Sequence, residues 1–371
     1  MEFMRVLHIN SKIYINSGVM SVLMNYYRNI NRDLVQFDFL YFMDSGDGYK
    51  TYQEEIETLG GRVFYIPNFK RFISFNRKLG DLLKAHPEYK TVHIHDPFLV
   101  RFIYRTLRKN GINHIIVHSH ATKWSDRFLN GIRNRLICVN LQHYIDYPFA
   151  CSYAAGRFLY GNNTEFTVIN NAIDIERYRF NSNCRIKIRN EIKLNDKIVF
   201  GHVGNFNNQK NHVFLIDVFC DIKRLCPEAV LILIGDGPLR EKINEKVENL
   251  GISDSVFFLG KRTDVERYYS AMDCFILPSL YEGLPMVGVE AQCNGLPILL
   301  SDTITKEIGL GTFDFMSLKE SPEEWAKHAV ELVRKAVKDR CSAALVIENN
   351  GFSIKNESNK LLKCYLDMNK N

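Results

Sequence analysis

Cys274-Phe275-Ile276-Leu277-Pro278-Ser279-Leu280-Tyr281-Glu282-Gly283-Leu284-Pro285-Met286-Val287-Gly288-Val289-Glu290 is the stretch on which the fold turns. Four apolar residues make a short buried strand, Pro278 to Gly283 supply a turn, and Pro285 suits the first turn of a helix, where its missing N–H has no partner to lose. A strand that runs through a tight turn into a helix is the repeating half of a parallel sheet covered by helices. Reading outward, the same alternation recurs: strands at Ile198 to Val203, Ala229 to Ile234, Val256 to Leu259 and Pro297 to Leu300, with amphipathic stretches between them.

A separate series precedes it, with strands expected at Arg5 to Ile9, Phe37 to Phe42, Arg62 to Ile66, Thr91 to His95 and Ile115 to His118. The chain of 371 residues exceeds what one core serves, so two domains are expected. Asn170-Asn171-Ala172-Ile173-Asp174 and the polar run to Asp196 suit a connection, with the hinge near 172–190. The reading is therefore α/β, with two Rossmann-like doubly wound lobes and an interdomain cleft. Residues 1–180 form the first lobe and 181–354 the second, and a final helix at about 355–371 packs back on the first.

Hydrophobic residues at 46% and charged residues at 24% exclude a disordered or fibrous chain. Nine scattered cysteines without a C-x-x-C pair suit a reduced, cytoplasmic protein rather than a disulfide scaffold. The N-terminus enters its first strand without a secretory signal, and no run is apolar over the roughly 18 residues that a membrane span requires. Charge is uneven: residues 62–135 hold 15 Lys or Arg against 4 Asp or Glu. Arg101, Arg105, Arg108 and Lys109 recur at helical spacing there. That surface suits either an anionic membrane, at the inner face of the cell membrane, or plain solvent. No zinc-finger or other nucleic-acid-binding signature accompanies the charge, so no nucleic-acid partner is expected.

The turn at 278–285 also carries chemistry. Amides near Gly283 and Leu284, at a helix start, make an anion site that the helix dipole reinforces. Glu282 precedes it and Glu290 lies in the helix. Eight residues at a rise of about 1.5 Å separate the two by roughly 12 Å, the span of a sugar diphosphate with its ribose.

P-S-x-x-E-G followed by E-x7-E resembles the signature of the large retaining GT-B glycosyltransferase family, family 4, which includes sucrose synthase and many bacterial polysaccharide transferases. The likeness is strong over 198–302 and looser over 5–180. The resemblance implies a nucleotide sugar held by the second lobe and an acceptor held mainly by the first. It assigns Glu290 to the ribose hydroxyls and Glu282 to the hexose, as a catalytic residue.

Val203-Gly204-Asn205-Phe206-Asn207-Asn208-Gln209-Lys210-Asn211 matches a second family stretch. A polar loop at the carboxyl end of a parallel strand is where open α/β sheets bind ligands, and Lys210 offers a point charge to a diphosphate. Asn205 stands where the family commonly has Arg. Arg262, in a loop resembling the one that receives the base, is expected to compensate in part. Ile234-Gly235-Asp236-Gly237-Pro238 is read as a structural turn. In the first lobe, Asn16-Ser17-Gly18-Val19-Met20 resembles the family's Gly-Gly-x-Glu loop, with Ser17 and Met20 as departures and Gly18 left to let the backbone approach the donor phosphate.

His93, His95, His118 and His120 form two His-x-His pairs. They suit a histidine-lined core, a metal site, or, by the resemblance, a His120 that hydrogen-bonds the transferred sugar as a second catalytic residue. Metal is not expected, nor is any cofactor, because no Asp-x-Asp occurs to hold a divalent cation on the diphosphate. The expected activity is metal-independent, retaining transfer of a hexose from a nucleotide sugar, with UDP the commonest carrier, to a saccharide or lipid-linked saccharide in capsule or exopolysaccharide synthesis. A nucleotide-sugar 2-epimerase or hydrolase and a non-catalytic nucleotide-sugar-binding protein are the alternatives.

Overall fold

The computed structural model describes residues 3–15, 17–43, 50–67, 69–124, 128–194, 196–336 and 339–370. Asn16, Asn68, 125–127, Asn195 and Asn371, which fall within stretches quoted above, lie outside the described residues. The chain forms two compact units, Met1–Ala172 with Ile354–Asn371, and Ile173–Ser353.

In the first unit, β1 (Met4–Asn10), β2 (Val35–Tyr41), β3 (Val63–Tyr65), β4 (Thr91–Ile94), β5 (His114–Ser119), β6 (Tyr147–Ala150) and β7 (Thr167–Val168) form a seven-stranded sheet in the order β3-β2-β1-β4-β5-β6-β7. Every pairing is parallel. Because side chains alternate along a strand, Leu7, Ile9, Val92, Ile94, Ile115 and Val117 fill a core on one face. His8, His93 and His118 fall on the other. There Tyr365, on the C-terminal helix Ile354–Met368, reaches His93, and Glu357 accepts the Asn170 N–H at 2.9 Å.

In the second unit, β8 (Ile198–Val203), β9 (Ala229–Ile234), β10 (Val256–Phe258), β11 (Cys274–Leu277), β12 (Ile298–Ser301) and β13 (Phe313–Met316) run in the order β10-β9-β8-β11-β12-β13, again all parallel. Both faces are covered. Val199, Ile232, Phe275 and Ile298 belong to one core, and Phe200, Leu231, Ile276 and Leu299 to the other. Strands buried on both faces read as continuous apolar runs, which is why Ala229 to Ile234 and Cys274 to Leu277 are plain in the sequence. All nine cysteines are free thiols.

Candidate active site

The order of the second sheet reverses between β8 and β11, and ligands of open α/β sheets bind outside the carboxyl ends of the strands at such a switch point. The loops that leave those two ends are the two singled out by their residues, and they are joined to each other. Leu280 N–H donates to Gln209 O at 2.8 Å, and Gln209 Nε2 donates to Tyr281 O and to Glu282 Oε2, both at 3.1 Å. Lys210 Nζ reaches Glu282 Oε1 at 2.6 Å, with the two side chains only 14% and 10% exposed. A buried pair of this kind is costly to break by removing one partner, since the other charge is left behind in a poor solvent. Gln209 was not singled out in the sequence; its position next to Lys210 was the only signal.

The turn 234–238 supports the first of these loops from below. Phe206 N–H donates to Asp236 O at 3.0 Å, and Leu239 N–H donates to Phe206 O at 3.0 Å. Gly235 has φ +137°, and a Cβ there would stand 2.0 Å from Gly204 O, so no other residue fits.

Glu290 sits in the helix Met286–Cys293, where Tyr269 Oη donates to its Oε2 at 2.9 Å. Burial raises its carboxyl above the ordinary range, and hydrogen bonds from Tyr269 and Tyr178, with Arg177 nearby, pull it back. Neither tyrosine was visible as a partner in the sequence, because both come from other elements. The helix start differs from expectation: Pro285 is the N-cap, and Gly288 and Val289 N–H close on its carbonyl. The amides left open by the helix are therefore those of Met286 and Val287, beyond Gly283 and Leu284. Leu284 is 6% exposed and packs in the core, whereas Gly283 is half-buried in the turn. Since Glu282 lies outside the helix, the helical estimate of its distance from Glu290 does not apply.

The family model described as "Glycosyl transferases group 1" matches residues 185–308, the part of the chain that carries both loops. EpsF of Bacillus subtilis, described as a glycosyltransferase, is 35% identical over 87% of this chain and 86% of its own length. The chain is a group 1 glycosyltransferase. An Escherichia coli relative, UDP-Gal:alpha-D-GlcNAc-diphosphoundecaprenol alpha-1,3-galactosyltransferase, is 26% identical over 83% of this chain and 84% of its own. HepE from Anabaena, solved in complex with UDP, superposes with a TM-score of 0.80 at 18% identity, covering 98% of this chain and 100% of that one. That likeness is one of fold, and the fold is GT-B.

The glycosyltransferase departs from the family pattern in ways the structure makes physical. Asn205 is exposed at the loop tip. Arg262 is held by Asp264 in a two-pronged pair at 2.9 and 3.0 Å, which raises its pKa and occupies its fork. Gly18 is the exposed first residue of the helix Gly18–Asn29, capped by Ser17, with nothing within 4 Å of where a Cβ would stand. Met20 is fully buried, so a core side chain stands where the family has a carboxylate. His120 lies just past β5 yet still stacks on His118, with ring centroids 4.2 Å apart. Its Nε2 lies 2.9 Å from His95 Nδ1, and burial lowers its pKa to about 4, keeping the ring neutral.

Proposed function

We propose that this glycosyltransferase moves a hexose, with retention and without a metal, from a UDP-sugar to a hydroxyl of a lipid-linked saccharide in surface polysaccharide synthesis. The Lys210–Glu282 pair at the β8/β11 switch point is the observation that carries the reading. An arriving diphosphate takes the ammonium of Lys210 in exchange for Glu282. The carboxylate, released but still held by Gln209, then accepts hydrogen bonds from the sugar hydroxyls. Glu290, with Tyr269 and Tyr178 already fixing its orientation, offers its remaining lone pairs to the ribose diol. Charge on the departing diphosphate is met by Lys210 and the Met286 and Val287 amides, a fixed electrostatic arrangement. The absence of Asp-x-Asp from the sequence supports transfer without a cation. His120 is carried, on the family resemblance, as the group that hydrogen-bonds the transferred sugar.

A lipid-linked acceptor is supported by the surface of the first unit as well as by the E. coli relative's name. On the helix Phe128–Ile137, Ile132 and Leu136 are one turn apart and 46% and 64% exposed, beside exposed Arg133 and Arg135. Among the described residues no helix is long and apolar enough to cross a membrane. The deciding experiment offers purified protein UDP-, GDP- and ADP-sugars with lipid-linked acceptors in EDTA, and follows nucleotide release beside sugar incorporation. Equal release and incorporation from a UDP-hexose is expected. Donor conversion without an acceptor would point to an epimerase or hydrolase, and binding without turnover to a non-catalytic protein.

A further inference from the structure

Five histidines on β1, β4 and β5 and their carboxyl ends build two hydrogen-bonded rows. In one, His8 Nδ1 lies 3.0 Å from His95 Nε2, and His95 Nδ1 lies 2.9 Å from His120 Nε2. In the other, the Tyr365 hydroxyl lies 2.7 Å from His93 Nδ1, whose Nε2 is 3.2 Å from His118 Nδ1. The rows stack on each other, His93 on His95 at 4.5 Å and His118 on His120 at 4.2 Å between centroids. Two triads, His8–His93–His95 and His95–His118–His120, each bring their nitrogens within 4.8 Å of one another, so a shared metal ion has to be considered. The ring planes oppose it. An imidazole lone pair lies in the plane of its ring, and the stacked pairs are only 25° and 18° from parallel, so their lone pairs run side by side rather than converging on an ion about 2 Å away. His8 and His95 are 5° from parallel, with centroids 5.3 Å apart and facing nitrogens at 3.0 Å, the geometry of a direct N–H···N bond.

Burial holds these rings neutral, with one N–H each. Three neutral imidazoles joined by two hydrogen bonds have one N–H left over, which falls either on His8 Nε2 or on His120 Nδ1. Both nitrogens are buried without a partner among the described residues. His8 is fully buried, its ring 4.2 Å from that of Phe37, whereas His120, although its Nδ1 is covered, is the less buried residue of the two and closes the row at its outer end. A stranded donor is tolerated less readily than a stranded lone pair, so the spare N–H belongs at the less buried, outer end of the row. We infer that His8 and His95 lock His120 in its Nδ1–H tautomer, so that His120 meets its ligand as a hydrogen-bond donor to an oxygen lone pair through Nδ1, with His95 as a positioning residue. The ligand's being the transferred sugar rests on the proposed function; the tautomer does not.

The test is a long-range proton–nitrogen NMR spectrum of the full-length, nitrogen-15-labelled protein at neutral pH, with histidines assigned by single substitution. His8, His95 and His120 are expected to carry the proton on Nδ1, the minor tautomer of free histidine. An Nε2-protonated His120 overturns the lock, as does stoichiometric zinc bound by the cluster on addition of zinc alone. In His95→Leu, which takes away the donor that fixes His120 Nε2 as an acceptor, His120 should no longer hold a single tautomer, its nitrogen shifts moving from pure Nδ1–H towards the mixture of free histidine, and kcat/KM should fall about tenfold, the scale of one lost hydrogen bond. His95→Gln, which can both donate and accept, should recover part of it, and a His120 that stays wholly Nδ1-protonated in His95→Leu means that His95 does not set the tautomer and overturns the inference. If His120→Ala leaves turnover intact while the wild-type tautomers are as expected, the sugar-contacting role fails and the lock stands.

Discussion

Lys210 and Glu282 form a buried ion pair and carry the proposed donor site, so single substitutions mix stability with function. Lys210→Met takes the Lys210 ammonium away from a carboxylate at 10% exposure, so it is expected to lower stability by about 3 kcal/mol as well as to weaken donor binding. Glu282→Gln keeps the side-chain volume but loses the negative charge; turnover at saturating donor should drop by about 10²-fold or more, the scale on which a preorganised electrostatic contact acts. The double variant Lys210→Met, Glu282→Gln removes both charges together. Its melting temperature should return towards wild type while activity stays lost. Recovery of neither in the double variant would mean that the pair does not couple as the 2.6 Å contact implies.

Among the elements, Gly235 and Gly18 separate fold from function. Gly235→Ala puts a Cβ against the Gly204 carbonyl from a left-handed backbone, and is expected to cost about 1–3 kcal/mol and to displace the loop that carries Lys210. Gly18→Ala meets open space at a helix start, so its melting temperature should hold. If the Gly18 backbone approaches the donor phosphate, donor KM should rise all the same. A thermally neutral Gly235→Ala would contradict the close approach of the 234–238 turn to the 204–206 loop.

At the scale of the whole molecule, buried neutral histidines dominate the response to acid. Burial lowers His8 to about 3 and His120 to about 4, and holds His93, His95, His118 and His202 lower than the ordinary value as well. The unfolded chain binds these protons first, so the stability such groups contribute is complete above about pH 6.5 and is lost as pH falls towards the native values, by about 1.4 kcal/mol for each tenfold difference in proton affinity between the folded and unfolded chain. Asp96, which burial raises to about 6, works in the opposite sense but is a single group. The urea midpoint should therefore be clearly lower at pH 5 than at pH 8; a flat profile would mean that the imidazoles are hydrated. Attachment to a membrane is tested with anionic vesicles, which should retain the protein at low salt and release it as salt screens the arginines. Replacing Ile132 and Leu136 with Asp should abolish retention without changing activity on a soluble acceptor.

Local pattern determined much of this protein. Apolar runs of four to six residues that must be buried on both faces announce a parallel sheet, and Cys274 to Glu290 announces the strand, turn and helix at which two polar loops meet. β6, β7 and β13 were not legible: Pro148 interrupts the first, the second is two residues long, and the third is a partly exposed edge. The helix begins at Met286 rather than Pro285 because the Pro285 carbonyl, not its ring, closes the first turn. Only tertiary structure could decide who partners whom. Gln209 and Lys210 meet Glu282 from 72 or more residues away, Tyr269 finds Glu290 across 21, and Tyr365 reaches His93 across 272. Residue type states what chemistry a side chain can do; the order of the strands, which no local pattern encodes, states beside what it will do it.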